Sequence, residues 1–79
     1  AYYNFGNTYF KLGNRKEAII LYRKTIDLKP EHGSAHKNIA ISYYHEGRFD
    51  LAVEHSNKAE ELGADMGEVF LKALEPHRK

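Results

Sequence analysis

Few side chains in this 79-residue sequence are of types that do chemistry, and the first to consider are its five histidines. His32 and His36 are four apart, a spacing that can set two imidazoles on one helix face. Pro30 and Gly33 instead place them at a helix entrance, no third ligand stands at a convincing spacing, and cysteine is absent. A metal site is therefore not expected. His36 is expected to pack, and His55 and His77 to be solvated. Ser34, Ser42 and Ser56 each have a histidine within a few residues. A nucleophilic triad also needs an orienting acid and an oxyanion hole, and nothing in the sequence indicates either. Glu60 and Glu61 are adjacent on a helix and do not face each other. The glycines sit at turns and form no phosphate-cradling loop. Glu54 and Lys58 have the spacing of a surface ion pair. No catalytic residue and no cofactor is expected.

Bulk properties narrow the classes further. Twelve basic residues against eleven acidic ones give a net charge of +1, with the signs mixed along the chain. A nucleic-acid binder would show a basic stripe, so no nucleic-acid partner is expected. No apolar run approaches the roughly 18 residues a membrane-spanning helix needs, so no direct membrane insertion is expected. Without cysteine there is no disulfide framework, a fact compatible with any compartment. The first residue is Ala1 and not methionine. The sequence is therefore read as a piece of a longer protein, and the absence of a signal peptide from it says little about location.

The elements that must position these residues are legible from an internal repeat. A shift of 34 residues aligns Ala1 with Ala35, Asn4 with Asn38, Tyr9 with Tyr43, Gly13 with Gly47 and Ala18 with Ala52. Lys24, Leu28 and Gly33 meet Lys58, Leu62 and Gly67 under the same shift, with conservative pairs such as Gly6 and Ala40 between them. A fixed period of this length points to stacked supersecondary units, which also answers the problem that so short a chain buries little surface in one closed core.

Within each unit the apolar spacing is helical. Phe5, Tyr9 and Leu12 share one stripe, and Ala18, Tyr22, Thr25 and Ile26 share another. Gly13 separates them, Asn14 with Glu17 reads as a capping box, and Pro30 stops the second helix and biases Lys29 away from helical angles. The cycle repeats with a turn at Gly47 and a left-handed stop at Gly63. Asp65 with Glu68 reads as a further capping box. The spacing predicts helices at about 2–12, 15–28, 34–46, 49–62 and 66–75. Gly6 and Ala18, then Ala40 and Ala52, are the small residues that let paired helices approach, with Tyr9 and Tyr22 filling the flanking space.

Tyr2, Phe5, Gly6, Tyr9, Gly13, Ala18, Tyr22 and Pro30 together resemble the signature of the tetratricopeptide repeat family. Ile39, Ala40, Tyr43, Gly47, Ala52 and Ala59 resemble it again in the second unit. The resemblance implies an all-α solenoid, a right-handed superhelical array of five helices forming one domain over 1–79. Its first repeat covers 1–32, its second 33–66, and residues 67–79 form a capping helix and tail. The sequence departs from the pattern at His36 and Ser56, where aromatics are usual, at Ala64, where proline is usual, and at Thr25 and Ile20. Phe70 is expected to restore the volume that Ser56 lacks.

The resemblance also implies a function, a non-catalytic protein-interaction module that binds a partner's peptide segment in a concave groove lined by the first helices. Carried over by position, the groove comprises Tyr3, Asn7, Phe10 and Lys11 from the first unit. Lys37, Asn38, Ile41, Tyr44 and His45 come from the second, and Leu71, Lys72 and Glu75 from the last helix. Tyr3, Phe10 and Tyr44 are large aromatics without an obvious partner inside their repeat. Asn7, Asn38 and Lys72 match part of the carboxylate clamp of chaperone-binding arrays. Tyr3 and Glu68 stand where that clamp needs lysines, so the clamp is not expected. The alternative function is a self-associating scaffold, with a weak homo-oligomer formed through the apolar edge around Tyr2, Phe5 and Tyr9.

Overall fold

The computed structural model describes residues 2–78. Ala1, which the repeat pairs with Ala35, lies outside the described residues. Three helix ends show how the sequence sets the architecture. After Lys11, Asn14 N–H bonds Tyr9 O at 2.9 Å and Gly13 N–H bonds Phe10 O at 3.1 Å. The same pair of bonds recurs around Gly47 and around Gly63. Each is a Schellman closure, which needs one residue in the left-handed region, and Gly13 and Gly47 supply it at φ 81° and 79°.

These stops delimit α1 (Tyr2–Lys11), α2 (Arg15–Leu28), α3 (Gly33–His45), α4 (Phe49–Glu61) and α5 (Glu68–Leu74), followed by a 3-10 turn at Glu75–His77. The described residues contain no strand. α1 packs on α2, α3 on α4, and α2 on α3, so two helical hairpins stack and α5 lies against the second. α2 ends as the sequence requires: Lys29 at φ −138° and ψ 85° has left the helical region ahead of Pro30.

Two expected capping boxes do not form. Asn14 holds the N-cap position of α2, yet its side chain makes no capping bond. Asp65 Oδ1 accepts instead from Gly67 N–H at 2.9 Å, in an Asx turn that delays α5 until Glu68. The last helix is thus shorter than its periodicity suggests, and Pro76 falls in the 3-10 turn. The expected Glu54–Lys58 pair is also replaced, because Lys58 Nζ lies 3.7 Å from Glu61 one turn further on.

The small-residue expectation holds. Ala18, Ala40, Ala52 and Ala59 are fully buried, and Gly6 is buried against Tyr22. A Cβ on Gly6 would sit 2.8 Å from Tyr22 Cε1. In the second hairpin the equivalent pair is Ala40 and Ser56, where a smaller partner leaves room for the extra methyl. Met66 and Phe70 pack beside Ala40 and Ala59, as the missing aromatic at position 56 requires. Leu74 is fully buried and carries α5 into the same core as Ile39 and Tyr43.

Tyr9 does not fill the space beside Gly6. It lies with Phe5 and Leu12 on the outer face of α1, where Phe5 is 59% and Leu12 73% exposed. Their counterparts Ile39 and Tyr43 are buried because α2 covers that side of α3. Ile20 is exposed, as an outward position requires.

Candidate functional site

The expected site residues fall on α1, α3 and α5. Tyr3, Asn7 and Phe10 are spaced four and three apart on α1, so they share a face. Lys37, Asn38, Ile41, Tyr44 and His45 follow the same rule on α3, and Leu71 and Lys72 belong to α5.

A polar cluster joins α1 to α3 at the centre of this set. Tyr22 O–H donates to Asn7 Oδ1 at 2.6 Å, and Asn38 Nδ2 donates to the same oxygen at 3.1 Å. Asn38 Nδ2 also lies 3.3 Å from Tyr22 Oη and 3.5 Å from Tyr3 Oη. The two asparagines are therefore engaged with each other and with Tyr22. Asn7 Nδ2 and Asn38 Oδ1 make no bond within the described residues, which leaves one amide nitrogen as donor and one amide oxygen as acceptor available. Burial pushes the Tyr22 hydroxyl up to about 12, offset in part by the Asn38 bond and reinforced by Tyr3.

The aromatics have internal partners that the sequence did not reveal. Tyr3 lies 4.6 Å from the His32 ring and Phe10 6.3 Å from Tyr22. Tyr44 sits edge-on to Phe49 at 5.5 Å and to Phe70 at 5.6 Å. All three remain half-buried, so each still offers an edge to solvent. Ile41 and Leu71 pack with Phe70 around Ala40 and Met66, which brings the α3 and α5 residues together. An open depression of about 450 Å³ runs beside them, lined by Tyr44, His45, Phe70 and Val69 among others. His45 is exposed.

The charges are arranged less simply than their positions suggest. Lys72 Nζ is 3.7 Å from Glu68 one turn earlier, so its charge is offset by a carboxylate on the same surface. Lys37 and Lys11 form no ion pair within the described residues. Glu75 falls in the 3-10 turn.

The histidines depart from expectation. His36 is buried, as expected, while His55 and His77 are half-buried against other rings and not fully solvated. His55 Nδ1 is 3.1 Å from His36 Nδ1, and its ring stacks on Tyr43. His77 lies flat on Phe49 at 3.7 Å, closing the tail onto α4. His32 caps α3, its Nδ1 accepting from Ala35 N–H at 3.1 Å. No group of three or more histidine, aspartate or glutamate side chains converges among the described residues in a way that could hold a metal. Tyr22 and Phe70 are the site's missed members. From the sequence Tyr22 reads as a packing residue, and only its 15-residue separation from Asn7 across the Gly13 turn signals the bond.

Residues 1–32 match the family described as the tetratricopeptide repeat. The Photosystem I assembly protein Ycf3 of Rippkaea orientalis is 29% identical over 72 residues, covering 91% of this chain and 42% of that protein. The chain thus spans less than half the length of this curated relative. The 34-residue period, the stacked hairpins closed at Gly13 and Gly47, and the match over the first hairpin together support assignment of the chain to the tetratricopeptide repeat family.

Proposed function

We propose that the face shared by α1, α3 and α5 docks a peptide segment of a protein partner, in a non-catalytic role. The observation that carries this reading is the Asn7–Asn38 bond, which makes the residues of two hairpins one continuous patch. On that patch the bonds already made orient the asparagines so that a free amide N–H and a free amide oxygen remain. These two groups match the donor and acceptor of a peptide backbone. Tyr3, Phe10, Ile41, Tyr44 and Leu71 add half-buried apolar surface around them, the kind of surface from which interfaces draw most of their energy. Lys37 and the partly offset Lys72 give a slight preference for an acidic segment. The two repeats at 1–32 and 33–66 and the covering segment 67–79 would act as one short platform, so affinity is expected to be about micromolar or weaker. The assembly role in the printed name of Ycf3 is compatible with such a platform.

The test uses peptides selected from a random extended library against the 79-residue chain. Amide shifts should change along α1, α3 and α5 on titration. Leu71→Glu should weaken binding at least tenfold, and Ile20→Glu, on an exposed outward position, should not. Shifts confined to the outer faces of α2 and α4 would refute the site.

The exposed α1 stripe favours a second reading. Phe5 and Tyr9 occupy the positions that are buried under a neighbouring helix in α3. A further helical hairpin, or a second copy of the chain, would cover them in the same way. Sedimentation over a range of concentration separates this from peptide docking, since self-stacking follows mass action.

A further inference from the structure

Between α3 and α4 of the second hairpin lies a pair of histidines, His36 buried and His55 half-buried, to which peptide docking assigns no role. His36 Nε2 lies 2.9 Å from Pro30 O in the turn linking α2 to α3. A carbonyl only accepts, so His36 Nε2 carries a proton, and the neutral ring presents a bare Nδ1. That Nδ1 lies 3.1 Å from His55 Nδ1, which must then donate. The rings are stacked at 5.3 Å, and His55 lies between His36 and Tyr43. One chain of bonds, from the Pro30 carbonyl through His36 to His55, therefore ties the inter-hairpin turn to α3 and α4.

We propose that this His36–His55 pair is a pH-sensitive latch, closed when both rings are neutral and opened by acidification, which loosens the hold of α3 on α4 and on the inter-hairpin turn. The proton arithmetic of the bonds supplies the mechanism. A first added proton can sit on His55 Nε2 and leave the Nδ1–H···Nδ1 bond in place. A second has only His36 Nδ1 to occupy, and it turns the acceptor into a donor aimed at another donor. Two cationic rings would then face each other at bonding distance between α3 and α4. In the unfolded chain the same two rings take up protons independently.

The surroundings set the sign. Burial holds His55 below its ordinary value, and the neighbouring His36 and Arg23 act in the same direction, against Glu54. From α2, Arg23 and Asp27 line the cleft beside His55. From α4, Glu54, Lys58 and Glu61 line the opening over both rings. The turn supplies a backbone carbonyl, and its charged residues Lys29 and Glu31 are exposed. With a folded value below the ordinary imidazole value of 6.5, the unfolded state binds protons first. Stability from this group is fully present above about pH 6.5 and is lost as pH falls from there through the folded value.

The test is urea denaturation at pH 7.5 and pH 5.5 of the 79-residue chain and of His55→Phe, which keeps an aromatic ring beside Tyr43 and cannot ionise. The wild-type midpoint should fall on acidification, and that of His55→Phe should fall by less than half as much. Equal falls in the two proteins would overturn the proposal. Should His55→Phe not fold, nitrogen-15 shifts of the wild-type imidazoles decide the matter. His36 protonated at Nε2 and His55 at Nδ1, at pH 7.5, supports the latch. Both rings protonated at Nε2 would leave two lone pairs facing each other and overturns it.

Discussion

Opposite substitutions at equivalent positions should both destabilise this protein. Replacing glycine by alanine inside a helix ordinarily gains about 1 kcal/mol, because alanine has the better helix propensity. At Gly6 the new methyl would lie 2.8 Å from Tyr22 Cε1, 3.0 Å from Cδ1 and 3.3 Å from Cζ. The ring has little freedom to give way. Tyr22 is fully buried, and its hydroxyl is fixed on Asn7 at 2.6 Å. Overpacking of this kind costs roughly 1–3 kcal/mol. The clash therefore outweighs the propensity gain, and Gly6→Ala should lose on the order of 1 kcal/mol net. In the second hairpin the aligned pair is Ala40 and Ser56, both fully buried, and the Ala40 methyl is already accommodated. Ala40→Gly forfeits about 1 kcal/mol of propensity and about 0.8 kcal/mol for the buried methyl. Urea denaturation followed by circular dichroism reads both. With a slope of about 1 kcal/mol per molar for so small a chain, each midpoint should fall by about 1 M or more. A higher midpoint for Gly6→Ala would mean that the α1–α2 distance is not set by the Tyr22 ring.

Two further expectations follow from the same packing. Leu74→Ala removes the fully buried anchor of α5 and should cost about 2–5 kcal/mol, a large share of the stability of so small a domain. An unchanged thermal midpoint would show that α5 is not held to the second hairpin. Tyr22 should be the last tyrosine to ionise in an ultraviolet titration, since burial pushes it up to about 12. Its folded value is raised above the ordinary 10.0, so its contribution to stability is intact below about pH 10 and is lost as pH rises towards 12. Tyr22→Phe should be less sensitive to alkali over that range, and an equal loss would argue against the buried cluster.

The sequence by itself determined what depends on local rules. Gly13 and Gly47 are needed wherever a chain must pass through the left-handed region to close a helix, and Pro30 cannot extend one. Thirty-four-residue spacing of such signals dictates stacked hairpins, and the small residues at 6, 18, 40 and 52 announce where helices touch. The groove residues on α1 and α3 come from the family resemblance, carried over by position. Tertiary structure decided how those faces are used. Asn7 and Asn38 look like free ligand-binding amides in a linear reading, yet stacking brings them within 3.1 Å of each other and under Tyr22. Lys72 looks like an available cation until α5 sets it beside Glu68. His55 looks like a surface residue on an amphipathic helix, and only the packing of α4 against α3 turns it inward to His36. Propensity and periodicity act within one helix, where neighbours three and four apart are fixed by geometry. Partnership across 15 to 31 residues depends on how two helices meet, and that is set by side-chain volume at the contact.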